Sequence, residues 1–154
     1  MSAWASQAAH RVQQKLLEEQ KESERVVREE RLLWTKARPL WDELRKTLME
    51  ECAEFKAEGG QRDTLEWSRE DPLAVSIGFS GRYRCISVSL DLRGDGVNIV
   101  KSWSAKLECY RIAVVPGTCD VCFVDPFQSR LTVDQLAQRI LDDLLDIQAI
   151  QASL

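Results

Sequence analysis

Between residues 64 and 125, apolar and polar side chains alternate with a period of two, and turn-forming residues interrupt the alternation at short intervals. That period sends successive side chains to opposite faces of a pleated strand, so the segment reads as a sheet with one greasy and one wet face. The predicted strands are Leu65–Ser68, Leu73–Phe79, Tyr83–Leu92, Val97–Trp103, Leu107–Val115 and Val121–Val124. Asp71-Pro72, Ser80-Gly81, Gly94-Asp95-Gly96, Ser104-Ala105 and Pro116-Gly117 separate them with the chemistry of tight turns.

If every turn closes a tight antiparallel hairpin, the register follows. Val75 opposes Ile86, Leu90 opposes Ile99, Trp103 opposes Leu107, and Val115 opposes Cys119. One face then collects Leu73, Val75, Ile77, Phe79, Ile86, Val88, Leu90, Leu92, Val97, Ile99, Trp103, Leu107, Cys109, Ala113, Val115, Val121 and Phe123. The other holds Ser76, Ser87, Ser89, Asn98, Ser102 and Glu108. A one-residue slip at any turn exchanges the two sets downstream.

The flanks are helical. The first 58 residues contain no glycine and a single proline, Pro39. Residues 1–35 form a charged arm, with no apolar residue from Glu18 to Arg25. Residues 36–58 form a core helix whose stripe runs through Trp34, Ala37, Trp41, Leu44 and Leu48 to Cys52 and Phe55. Pro39 lacks an amide donor and restricts Arg38, which predicts a kink or break near residues 36–39. Residues 132–150 form a second helix, opened by a capping box of Thr132 and Gln135. The expected fold is α+β: a long N-terminal helical region, an antiparallel meander of five to six strands, and a C-terminal helix on the same sheet face. A chain of 154 residues suits a single domain.

Charge narrows the partners. The net charge is −4 and no region is basic in bulk, so neither nucleic acid nor an anionic membrane is an expected partner. Five cysteines without a secretion signal point to reduced thiols and a cytoplasmic protein.

Candidate sites are those that break the pattern. Lys101 and Arg111 fall on the expected core face beside Cys109, with Arg84 near its edge. Buried cations need partners, which makes them either contacts for a small anion or members of ion pairs with helix carboxylates such as Glu51 or Asp134. Tyr110, Ile112 and Val114, with Val100 and Val124, form an apolar patch on the expected solvent face, to be covered by a partner, a second copy or the arm. Along the arm, Val12, Leu16, Val26 and Leu33 draw a sparse contact line for another protein's helix or a second copy.

Metal and cofactor chemistry is not expected. Cys119-Asp-Val-Cys122 is a lone CxxC whose sulfurs diverge in a strand, and Asp142-Asp143-Leu-Leu-Asp146 reads as a wet acidic helix face. The single histidine, His10, lies in the arm, away from any nucleophile of the sheet. The expectation is a non-enzymatic protein–protein interaction or regulatory module acting through the arm. The alternative is a carrier or sensor of a small anion, bound in a groove between sheet and helices.

Overall fold

The computed structural model describes residues 3–59, 65–68, 71–79 and 84–145, with the backbone alone at 59, 65–68 and 79. Helix α1 spans Ala3–Gly59, and helix α2 spans Val133–Leu144. Between them lie β1 (Leu65–Ser68), β2 (Ala74–Phe79), β3 (Cys85–Leu90), β4 (Gly96–Lys101), β5 (Leu107–Val114), β6 (Val121–Val124) and the two-residue β7 (Arg130–Leu131). Every neighbouring pair is antiparallel and the strand order follows the chain. The expected α+β meander is therefore present, extended by the short β7. Turns at Ser80-Gly81 fall outside the described residues, as does the chain beyond Leu145.

Both helices cover one face of the sheet. From α1, Ala37, Trp41, Leu44, Leu48 and Cys52 are buried, as are Leu136, Ala137, Ile140 and Leu144 of α2. They meet Val75, Ile77, Ile86, Val88, Val97, Ile99, Tyr110, Ile112, Val121 and Phe123. Trp34, expected on this stripe, is 85% exposed; Leu33 and Leu40 pack against the core instead. Leu73, Leu92 and Trp103 also leave the expected core for the exposed margin.

Where a kink or break is expected near residues 36–39, helix α1 continues through Pro39 unbroken. Pro39 is exposed and lies about half a turn from Ala37 and Trp41, so the carbonyl deprived of its amide partner faces water. Burial of the opposite stripe offsets the rest of the cost. At α2, Thr132 accepts the Gln135 amide at 3.1 Å while Gln135 Oε1 accepts the Thr132 amide at 2.9 Å, completing the expected capping box. At its other end Arg84 donates to the carbonyls of Leu144 and Asp143 at 3.0 and 2.7 Å, satisfying acceptors that a helix terminus leaves open.

The register departs from the tight-hairpin expectation at all four turns, with unequal consequences. Val75 opposes Val88 and Leu90 opposes Val97, each displaced by an even step that preserves the face. At the β4–β5 connection Val100, rather than Trp103, is aligned with its partner Leu107. The loop is wider than three residues, the step is odd, and strand β5 is turned over. Tyr110 and Ile112 thus point into the core, while Leu107, Cys109 and Arg111 face out. At β5–β6, Val114 opposes Val121 and the Val115 amide donates to Asp120 at 2.9 Å, closing a four-residue loop instead of three. This second odd step restores Val121 and Phe123 to the core.

Candidate functional site

The turned-over β5 separates the cations that sequence spacing placed together. Lys101 remains on the helix-covered side, at its margin, where Nζ donates to Glu108 Oε1 at 2.9 Å and to Asp143 Oδ2 at 2.6 Å. Burial works against its charge, but the hydrogen bonds to Asp143 and Glu108 prevail and raise its pKa. Its carboxylate partners are thus Asp143 and Glu108 rather than Glu51 or Asp134. Glu108, assigned to the wet face, arrives here through the same odd register step.

Arg111 points from the opposite face and donates to Gln128 Oε1 at 3.1 Å. Arg84 caps α2 and lies 3.7 Å from the centre of the Trp103 ring, a cation–π contact. Lys101, Arg111 and Arg84 therefore do not converge on one site, and each already has partners.

Tyr110, Ile112 and Val114 do not form the expected outer patch. Tyr110 and Ile112 are buried, and Val114 packs against the same core. Val124 shares the outer face with Arg111 and is nevertheless buried, flanked in register by Arg111 and Arg130, whose long stems suit such cover. Val100 is the exposed member of that group. Its register partner Leu107 is exposed beside it, and Ser76, Ser87, Ser89, Asn98 and Cys109 supply small side chains on the same outer face.

One polar cluster was missed from sequence. Asp125, only 4% exposed, accepts the amides of Phe127 and Ser129 at 2.9 and 2.8 Å and pairs with Arg139 at 3.1 Å. The Asp-Pro-Phe-Gln-Ser run of residues 125–129 was its one legible signal, as an Asx-type turn before α2. The Ser129 amide foremost, then Arg139 and the Phe127 amide, hold the Asp125 carboxyl below its ordinary range against the opposing effect of burial. The two amide contacts close the β6–β7 turn, and the Arg139 pair ties that turn to α2.

A group whose folded pKa is depressed adds stability that is complete above its unfolded value and disappears as pH falls through the folded one. With an unfolded carboxyl near about 3.9, the Asp125 contribution is whole above about pH 5. Asp125→Asn is therefore expected to lower Tm at pH 7, by a margin that narrows below about pH 4 as the native carboxylate is protonated. Melting curves of both proteins across pH 2.5–7 check this; a margin independent of pH means that charge is not its source.

Cys119 is exposed in the β5–β6 loop and Cys122 is half-buried in β6, with burial pushing its thiol pKa up. Among the described residues no group of histidine, cysteine and carboxylate side chains is arranged to hold a metal. His10 is exposed on the arm. Open grooves flank the helices. One of about 440 Å³ lies between α1 and α2, lined by Phe55, Ala137, Leu141, Glu51, Asp134 and Asp142 among others. Another, about 580 Å³, lies where α1 leaves the sheet, lined by Glu30, Leu33, Trp34, Leu73, Leu90 and Leu92 among others.

The arm is the remaining feature of note. From Trp4 to Arg28 every side chain except Ala8 is exposed, and the contacts drawn there, Arg25 with Glu22 and Glu29, lie within the helix. Val12, Leu16 and Val26 are 59%, 60% and 41% exposed, and Leu33 is partly buried against the core. At 1.5 Å per residue, residues 3–30 extend about 40 Å. No family model matches the chain, and no curated protein or solved structure is significantly similar to it.

Proposed function

We propose that this protein is a non-enzymatic interaction module that presents the N-terminal arm of α1 to another polypeptide. The supporting observation is the exposure of Val12, Leu16 and Val26 along a helix whose far end is anchored in the core. An isolated helix rich in charge is marginal in water. Here the buried stripe of residues 37–52 supplies the nucleus, and the arm extends from it as a ready-made binding element. Spending three large aliphatic side chains on water has no packing rationale within one copy of the chain.

The anion-carrier alternative has less support, because Lys101 and Arg84 are occupied by carboxylates and carbonyls and Arg111 faces away from both. No helix among the described residues is long and apolar enough to cross a membrane. A reducing, cytoplasmic setting suits five free thiols.

The test is a triple substitution, Val12→Glu, Leu16→Glu and Val26→Glu, in the full chain. We expect an unchanged thermal transition, because these side chains touch no core residue. We also expect loss of co-purifying protein from the native cell, or a lower mass in sedimentation. Identical behaviour of native and triply substituted protein in both assays refutes the reading.

A further inference from the structure

The apolar line of the arm has a definite period. Ala9, Val12, Leu16, Val26 and Leu33 fall, with the polar Glu19, Ser23 and Glu30 between them, at alternating steps of three and four; Leu17 and Val27 lie beside this line, and the same phase continues into Ala37, Leu40 and Leu44. This is a heptad seam, the pattern by which one helix receives another of like repeat. From Ala9 to Leu33 the spacing runs roughly three and a half heptads, with apolar residues at five of its eight seam positions. The seam carries two acidic residues, Glu19 and Glu30, and their positions discriminate among partners.

A second copy laid parallel and in register would set Glu19 against Glu19 and Glu30 against Glu30 inside the seam, an arrangement that like-charge repulsion opposes. Antiparallel pairing removes both clashes. In one register Leu16 meets Val26 of the second copy, Ala9 meets its Leu33, Glu19 meets its Ser23, and Val12 lies against the stem of its Glu30. Lys15, beside the seam, then faces Glu29 of the second copy. Glu22 approaches its own counterpart at the two-fold axis, but each is held by Arg25 of its own helix, Nε donating at 3.1 Å.

The groove at the root of the arm fits the same arrangement. Its helical wall is Glu30, Leu33, Trp34, Ala37 and Arg38, the spacing of one helix face. Trp34 is 85% exposed and Leu92 is fully exposed beside it. In the antiparallel register the first turns of the second copy, with the exposed Trp4 and the small Ala8 and Ala9, lie over this groove. Small side chains against large ones leave room for close approach. The contact is self-complementary and closes as a two-fold dimer.

We infer that two copies of this chain associate through their arms as an antiparallel pair centred near residue 21, with the start of each arm seated in the root groove of the other. This rests on the arm being a protein-binding element and names its occupant. The full chain, at 17.6 kDa per copy, should sediment at twice that mass. Val26→Glu should weaken association at least tenfold, with Tm equal to that of the native chain diluted to its monomer. For orientation, a Leu16→Cys, Val26→Cys double variant should form a disulfide-linked dimer on mild oxidation, beyond the background of the native cysteines, while neither single variant does. Single variants that cross-link as well as the double one overturn the antiparallel register. A full chain that sediments as a monomer at every concentration overturns self-pairing. The broader reading then stands only if native-cell partners are captured by the full chain and lost in the triple variant; if they are not, both fall together.

Discussion

Ile112→Asp is expected to leave no cooperative folding transition at 25 °C, whereas Arg111→Ser, one residue away, changes stability by no more than about 0.5 kcal/mol. Ile112 is 1% exposed, among the side chains of α1, α2 and the sheet. Truncating a buried isoleucine costs about 2–5 kcal/mol, and an unpaired carboxylate in its place adds several more. Together these approach the about 5–15 kcal/mol by which a domain is stable. Arg111 is exposed on the outer face, where it donates to Gln128 and lies opposite Val124 in register. The tight-hairpin register makes the opposite forecast, with Arg111 inward and Ile112 outward. Denaturant titration of the two variants therefore decides which way β5 faces, and a tolerated Ile112→Asp would discard the register described above.

Trp41→Ala should be the most damaging truncation in α1, lowering stability by about 3–5 kcal/mol. At roughly 2–4 °C per kcal/mol for a chain of this size, Tm falls by about 10 °C. The ring is fully buried and its indole nitrogen donates to the Pro72 carbonyl at 3.0 Å, joining α1 to the turn before β2. Arg45 reaches the same carbonyl at 2.9 Å. Trp41→Phe keeps most of the burial, loses the hydrogen bond, and should cost a fraction of the alanine effect. Trp34, two turns earlier where α1 leaves the sheet, is 85% exposed, and Trp34→Ala should shift Tm by a degree or two at most. Calorimetry on the three variants is sufficient. Equal losses at Trp34 and Trp41 would mean that the cover of α1 by the sheet reaches back to residue 34.

Both forecasts concern the way strands and helices are aimed, which is where sequence reasoning and structure part. Element types were legible, because each rests on periodicity within a few neighbouring residues. The capping box at Thr132 and Gln135 was readable for the same reason, its donors and acceptors being three residues apart. Strand β5 was not, because both its faces carry apolar side chains. Leu107, Cys109 and Ala113 compete with Tyr110, Ile112 and Val114, and assuming a three-residue turn at Ala105 chose between them wrongly. The bulk of tyrosine, isoleucine and valine against the charge of Arg111 was the signal that favoured the observed side. Two odd steps cancelled, so Val121 and Phe123 were placed correctly although the loop before them was not.

The candidate cations followed from that error. Lys101 and Arg111 looked like neighbours because one loop was taken to be one size, and the acid that meets Lys101 across the fold, Asp143, lies 42 residues away. Asp125 and Arg139 escaped notice for a related reason, since nothing in the sequence between these residues, 14 positions apart, signals that a turn and a helix face will meet.

Local pattern alone determined that this chain makes a long helix, a meander and a capped second helix, because hydrogen bonding and side-chain alternation repeat over a few residues. Only the tertiary structure decided which face of β5 is dry, which carboxylates neutralise which cations, and where α1 stops being core and becomes arm. Those outcomes depend on loop lengths and on contacts between distant segments, and a difference of one residue in a loop reverses a strand.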